Sequence, residues 1–127
     1  GKIKTTAIKL NSDTRLKEKV ANINQETSFL KNLRPVSYYW NAKGKEKGGD
    51  ISLQYGFIAQ EVEKIAPNLV NTDADGYKSV NYIQVIPVLV KSLQDHALEL
   101  QKEKEKNNQQ EQRIKALEEK INAILKK

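Results

Sequence analysis

The 127-residue sequence has no cysteine and a single histidine, His96. The first absence excludes a disulfide framework and thiolate metal ligands. The second excludes histidine-rich metal sites and leaves a histidine-based triad at most one participant. Long hydrophobic runs are also missing. The longest apolar stretch, Tyr82 to Val90, is interrupted by Gln84 and Pro87 and falls far short of the ~20 residues a membrane span needs. No charged-then-apolar leader opens the sequence, so no export signal is expected.

What is present is polar but patterned. Apolar residues make up 38% and charged residues 30%, with a mean hydropathy of −0.70. That is too polar for one compact globule of this length and too regular for disorder. A small core with a long solvated appendage fits the balance. The net charge of +6 raises nucleic acid as a partner. In "KEKEKNNQQEQRIKALEEK", however, lysines alternate with glutamates, which marks a solvated helix face rather than a one-sided basic stripe. Nucleic acid is therefore not expected to bind.

Residues 3–10, "IKTTAIKL", read as an extended lead-in. Asp13 is a candidate N-cap for a short helix to about Ala21, with Leu16, Val20 and Ile23 spaced along one face. "QETSFLKNL" places Phe29, Leu30 and Leu33 together and is stopped by Pro35. "PVSYYWN" reads as a strand, and "AKGKEKGGD", at 42–50, as an exposed hairpin tip. "FIAQEVEKIAPN" predicts an amphipathic helix burying Ile58, Val62 and Ile65, closed by Pro67. Asp75-Gly76 signals a tight hairpin turn between "LV" and "YKSV".

From Asn81 the sequence predicts helix almost to its last residue, with Asn81 and Gln84 resembling a capping box and Pro87 in the first turn or at a kink. With Ile86 at heptad position a, that series runs Ile86, Leu93, Leu100, Asn107, Ile114, Ile121. The d series runs Leu89, His96, Glu103, Gln110, Leu117, Ile124. Isoleucine at a with leucine or isoleucine at d favours three or more strands. A helix lying on its own domain accounts for Ile86 to Leu100. It does not account for Ile114 to Ile124, which lie ~20 Å or more further along at about 1.5 Å per residue. Those residues need a partner. Asn107 and Gln110 at core positions would set register at a cost in stability, or hold an ion.

Four stretches, "NSDTRLKEKV", "LRPVSYYW", "YGFIAQEVEKIAPNLV" and "YKSVNYIQVIPVLVKSLQ", stand in this order over residues 11 to about 100. Together they resemble the C-terminal intramolecular chaperone domain of phage tailspikes, endosialidases and neck appendages. This is the peptidase S74 domain, and a related copy occurs in myelin regulatory factor. The resemblance implies an α+β fold: a small mixed core of short helices and antiparallel strands, with a long C-terminal helix forming a trimeric coiled-coil stalk. It implies a homotrimer that assists folding of an upstream β-rich fibre or tailspike on the same polypeptide and then cuts itself free at Asn11–Ser12. Ser12 would be the nucleophile and Lys17 its base. Residues 1–11 would be the tail of the fibre, 12–100 the chaperone and 101–127 the stalk. Host cytoplasm during phage assembly is the implied location, with the released piece absent from the mature virion. No membrane, metal or cofactor is implied; whether a nucleotide or ion assists assembly is left open.

A serine hydroxyl attacks poorly until a base takes its proton, and an ordinary lysine, pKa near 10.4, is a poor base at neutral pH. A helix N-terminus, the like charges of Arg15 and Lys19, and burial near Leu16 and Val20 would each favour a neutral amine. The same N-terminal amides would face an oxyanion at Asn11. Asp13 opposes this unless backbone amides or Arg15 engage it. Residues i and i+5 share no helix face, so Ser12 must lie outside the helix and fold back over Lys17. By spacing alone, a capping-region serine beside a solvated lysine is the better fit.

Other candidates have a structural reading first. Gln60 and Glu61 brace a core, Tyr38 to Trp40 alternate as strand residues or form a stacking platform, and His96 is a core-edge histidine that would be pH-sensitive in a ring of three. The lysine-glycine loop at 43–49 reaches toward a client or is an unattached hairpin. The rival function is a DNA-binding region of a membrane-tethered transcription factor. Against it, no dense basic stripe and no spanning segment is present.

Overall fold

In a computed structural model of the chain, residues 11–24 and 26–126 are described. The lead-in strand read at 3–10 lies outside them. The fold is α+β, as the resemblance implies. Two antiparallel two-stranded sheets are joined by short helices, and one long helix follows.

The first sheet pairs β1 (Val36–Tyr38) with β2 (Gln54–Gly56), Ser37 opposite Tyr55. Between them lies α1 (Ala42–Glu46), so the expected hairpin tip is instead a helical turn. Its cause is local: Asn41 caps the turn, its Oδ1 accepting from the Gly44 amide at 2.9 Å, and the Trp40 ring fills the space behind it. A Cβ on Gly49 would overlap that ring. Glycine there lets the returning chain lie flat on tryptophan.

Next come α2 (Ala59–Ile65) and a 3-10 turn, Pro67–Leu69. The second sheet pairs β3 (Val70–Thr72) with β4 (Lys78–Val80). The turn predicted at Asp75-Gly76 is present, with Gly76 at φ +87°, a conformation that suits glycine. Finally α3 runs from Tyr82 to Leu125. Asn81 caps it, accepting from the Gln84 amide at 3.3 Å. Pro87 lies inside the helix, beyond its first turn.

The core is small. Val62 of α2, Ala66, Leu69 and Val85 of α3 are buried, and Phe29, Leu33, Phe57, Val70 and Val80 pack around them. Phe29 comes from a 3-10 stretch, Glu26–Asn32, in place of the α-helix expected there, and Leu33 follows directly after it. The first turn of α3 is fastened to the first sheet by Tyr82. Its ring stacks on Phe57 at 5.9 Å and its hydroxyl accepts from the Phe57 amide at 3.0 Å.

Two apolar faces are more exposed in the single chain than their sequence pattern suggests. Ile58 caps α2 and is 38% exposed, so the buried face of that helix starts one turn later. On α3, the heptad residues Ile86, Leu89, Leu93 and Leu100 are exposed. The domain's own contact uses a different stripe, with Val85 at its centre. The a/d seam is thus open along its whole length, with Ile114, Leu117, Ile121 and Ile124 exposed further along, and Asn107 and Gln110 exposed between them.

Candidate active site

Ser12 and Lys17 meet around a single tight turn. The predicted helix to Ala21 is absent; only Thr14–Leu16 turn, as one 3-10 element. The reason is visible in its apolar residues. Leu16 and Val20 are 61% and 77% exposed, and a short helix whose apolar face covers nothing is marginal in water. The chain instead leaves the turn at Lys17, which is extended, and bends at Lys19, whose φ of +55° is uncommon for a side chain with a Cβ.

This geometry places Lys17 Nζ 2.6 Å from Ser12 Oγ. As an ammonium, Lys17 donates to the hydroxyl. With one proton fewer, the same pair of atoms lets the hydroxyl donate to the amine, which is the arrangement general-base activation requires. Both residues are exposed in the single chain.

Asp13 is engaged by Arg15. Its Oδ1 accepts from the Arg15 amide at 2.9 Å and from Nε at 3.0 Å, and its Oδ2 from Nη2 at 2.9 Å. The Arg15 side chain holds the Asp13 carboxyl below its ordinary range, helped by the Arg15 amide. The same contact raises Arg15. The expected donors for an oxyanion need correction, because there is no helix N-terminus here. The amides of Arg15, Leu16 and Lys17 bond within the turn, and those of Asp13 and Thr14 have no acceptor among the described residues.

The other sequence candidates lie apart. Glu61 pairs with Arg34 through two bonds, 2.9 Å and 2.6 Å, tying α2 to the segment before β1. That is a bracing role. Tyr38 and Trp40 pack edge to face at 5.1 Å, while Tyr39 is exposed. Burial pushes the Tyr38 phenol up, and the neighbouring Tyr82 adds to it. His96 is exposed on α3. Sequence reading gave no weight to Tyr82, although an aromatic residue beside a helix cap is a signal for such a clasp. Among the described residues no cluster of histidine, cysteine and carboxylate side chains could hold a metal, and no helix is long and apolar enough to cross a membrane.

Residues 12–71 match the family Peptidase_S74, described as chaperone of endosialidase. That segment is similar to this family. The match opens on Ser12, the residue held by Lys17, and closes at Asn71, before the "YKSVNYIQVIPVLVKSLQ" stretch. No curated protein matches the chain. The family's name and description join a peptidase to a chaperone, which supports an intramolecular chaperone role.

Proposed function

We propose that the chain is a self-releasing intramolecular chaperone: it trimerises, assists folding of a β-rich fibre or tailspike placed upstream, and then cuts the Asn11–Ser12 bond. The observation that carries this reading is the 2.6 Å contact between Lys17 Nζ and Ser12 Oγ at the first residue of the family match.

The chemistry balances with these residues alone and one water. Neutral Lys17 takes the hydroxyl proton as Ser12 Oγ bonds to the Asn11 carbonyl carbon. The C–N bond breaks, the Ser12 nitrogen leaves with the proton returned by Lys17, and Asn11 becomes an ester on Oγ. Water hydrolyses the ester, giving an Asn11 carboxylate and restoring the Ser12 hydroxyl. The amides of Asp13 and Thr14 are the candidate donors to the transient oxyanion.

An ammonium in water holds its proton, so the site needs cover. Leu16 and Val20, exposed on either side of Lys17, are what a neighbouring chain would bury, stripping water from the amine. Assembly is then the trigger. The open a/d seam of α3, isoleucine-rich at its distal end, supplies the threefold association. Residues 1–11 are the tail of the client, 12–100 the chaperone and 101–127 the stalk, acting in the host cytoplasm during phage assembly.

The test is direct. Precursors carrying Ser12→Ala or Lys17→Ala are followed by intact mass beside wild type. Loss of the 11/12 products in both variants, with folding help retained, is expected. Scission at an unchanged rate in either would sink the dyad.

A further inference from the structure

A concavity of about 800 Å³ lies between α1 and the β3–β4 turn, with Ser12 outside its lining. Tyr39, Trp40, Lys43, Lys47, Gln54 and Tyr77 line it. Three features give it chemical character. The Lys47 ammonium sits 4.2 Å above the Tyr77 ring and that of Lys43 is 6.0 Å from it. Among the described residues, neither lysine has a carboxylate partner. The acidic residue in the lining, Asp50, is exposed but engaged in a local turn, its Oδ1 accepting from the Ser52 amide, the Ser52 hydroxyl and Gln54 Nε2. Lys78, at the edge of the lining, is committed to Glu63 and the Thr72 hydroxyl.

The groove therefore offers, among aromatic faces, two ammonium groups with no carboxylate partner among the described residues. Tyr39 is 67% exposed, Tyr77 42% and Trp40 37%. The aromatic wall is already in place, because Trp40 is held between α1 and the close approach of Gly49. A preorganised wall of this kind lowers the ordering cost of binding. A partner that fits must carry negative charge to meet the lysines and aliphatic groups to cover the rings.

We infer that this groove binds an extended acidic polypeptide segment in which carboxylates alternate with aliphatic side chains. Lys43 and Lys47 take the carboxylates, and Tyr39, Trp40 and Tyr77 take the aliphatic groups. The inference rests on the chaperone reading, where the partner is itself a polypeptide, and it names the composition of the stretch this face would hold. A uniform polyanion would satisfy the lysines and leave the rings uncovered.

Trp40 is the single tryptophan of the chain, so its emission reports on the groove directly. The probe is a decapeptide alternating glutamate and leucine, titrated into the full chain at low salt. The expected result is a saturable emission change. Affinity should fall about tenfold in a Lys43→Gln/Lys47→Gln variant and stay unchanged in a Lys115→Gln/Lys120→Gln variant, which removes equal charge from the stalk. Four results would overturn the inference: no saturable change, equal binding of a glutamine-leucine peptide, full affinity in the groove variant, or tighter binding of oligothymidylate. Client folding and 11/12 scission are scored on separate samples, so failure of the groove leaves the chaperone reading standing, and the reverse.

Discussion

Lys17 reaches Ser12 across five residues through one 3-10 turn, with its Nζ 2.6 Å from the hydroxyl oxygen. No helix sets that distance. The turn is fixed by Asp13, whose carboxylate is held by the backbone and side chain of Arg15. The Ser12–Lys17 contact thus rests on a second, charge-paired couple, Asp13 and Arg15.

That dependence can be measured. Arg15→Ala leaves the Asp13 carboxylate without its guanidinium, and a freed carboxylate near the site favours a charged lysine. Scission should slow about tenfold. Adding Asp13→Asn to Arg15→Ala should recover most of the rate. A densitometric time course of precursor against product is the readout; no rescue would show that only the turn was lost.

The seam on α3 predicts a concentration effect. Ile114→Asp with Ile121→Asp places charge at two exposed seam positions and touches nothing in the chain's own core. Sedimentation equilibrium should move from three chains toward one, and scission should slow with it, while Trp40 emission stays that of wild type. Trimers persisting in the variant would remove the stalk from the assembly.

Gly49 predicts a steric cost. A methyl group there overlaps the Trp40 ring, and relieving such overpacking in a tight site typically costs about 1–3 kcal/mol. Gly49→Ala should lower the urea midpoint and shift Trp40 emission to the red, as the ring moves toward water. Gly48, where an added Cβ meets nothing but φ is +109°, makes a useful comparison: Gly48→Ala should destabilise without moving the tryptophan.

Acid should loosen the link between α2 and the segment before β1. Arg34, through its hydrogen bonds, holds the Glu61 carboxyl below its ordinary value of 4.5. A carboxyl lowered on folding favours the folded state above that ordinary value, and the support fades as pH falls through the folded one. The stability gap between wild type and Glu61→Gln should therefore be widest near neutrality and close well below pH 4.5. Both partners are exposed, so the gap is small and shrinks with salt. Urea midpoints across the acid range measure it.

How far the sequence could be read depended on what each signal rested upon. The Asp75-Gly76 turn, the strand at Val36 and the helix after Asn81 rest on local chemistry, and all three stand in the structure. The helix expected at 13–21 rested on a Leu16–Val20 stripe that only works against a surface, and the single chain offers none. The turn of helix at 42–46 was hidden because its stabilisers are an asparagine cap and a tryptophan ring standing behind glycines, and lysine and glycine alone look like a loop. The heptad series located the exposed seam of α3. It could not tell that the domain would grip a neighbouring stripe through Val85, since both stripes are equally apolar on paper. The spacing of Ser12 and Lys17 required a fold-back but carried no sign of its cause.

Val85 is the residue of α3 that lies fully inside among those described. Among the described residues, those of that helix from about residue 100 onward are exposed. A ribosome makes this part after the globular part, so the head can be finished before a polypeptide has any means of finding its copies. Recognition of self would then come as a late event in each molecule's life, timed by the order of synthesis rather than by a switch.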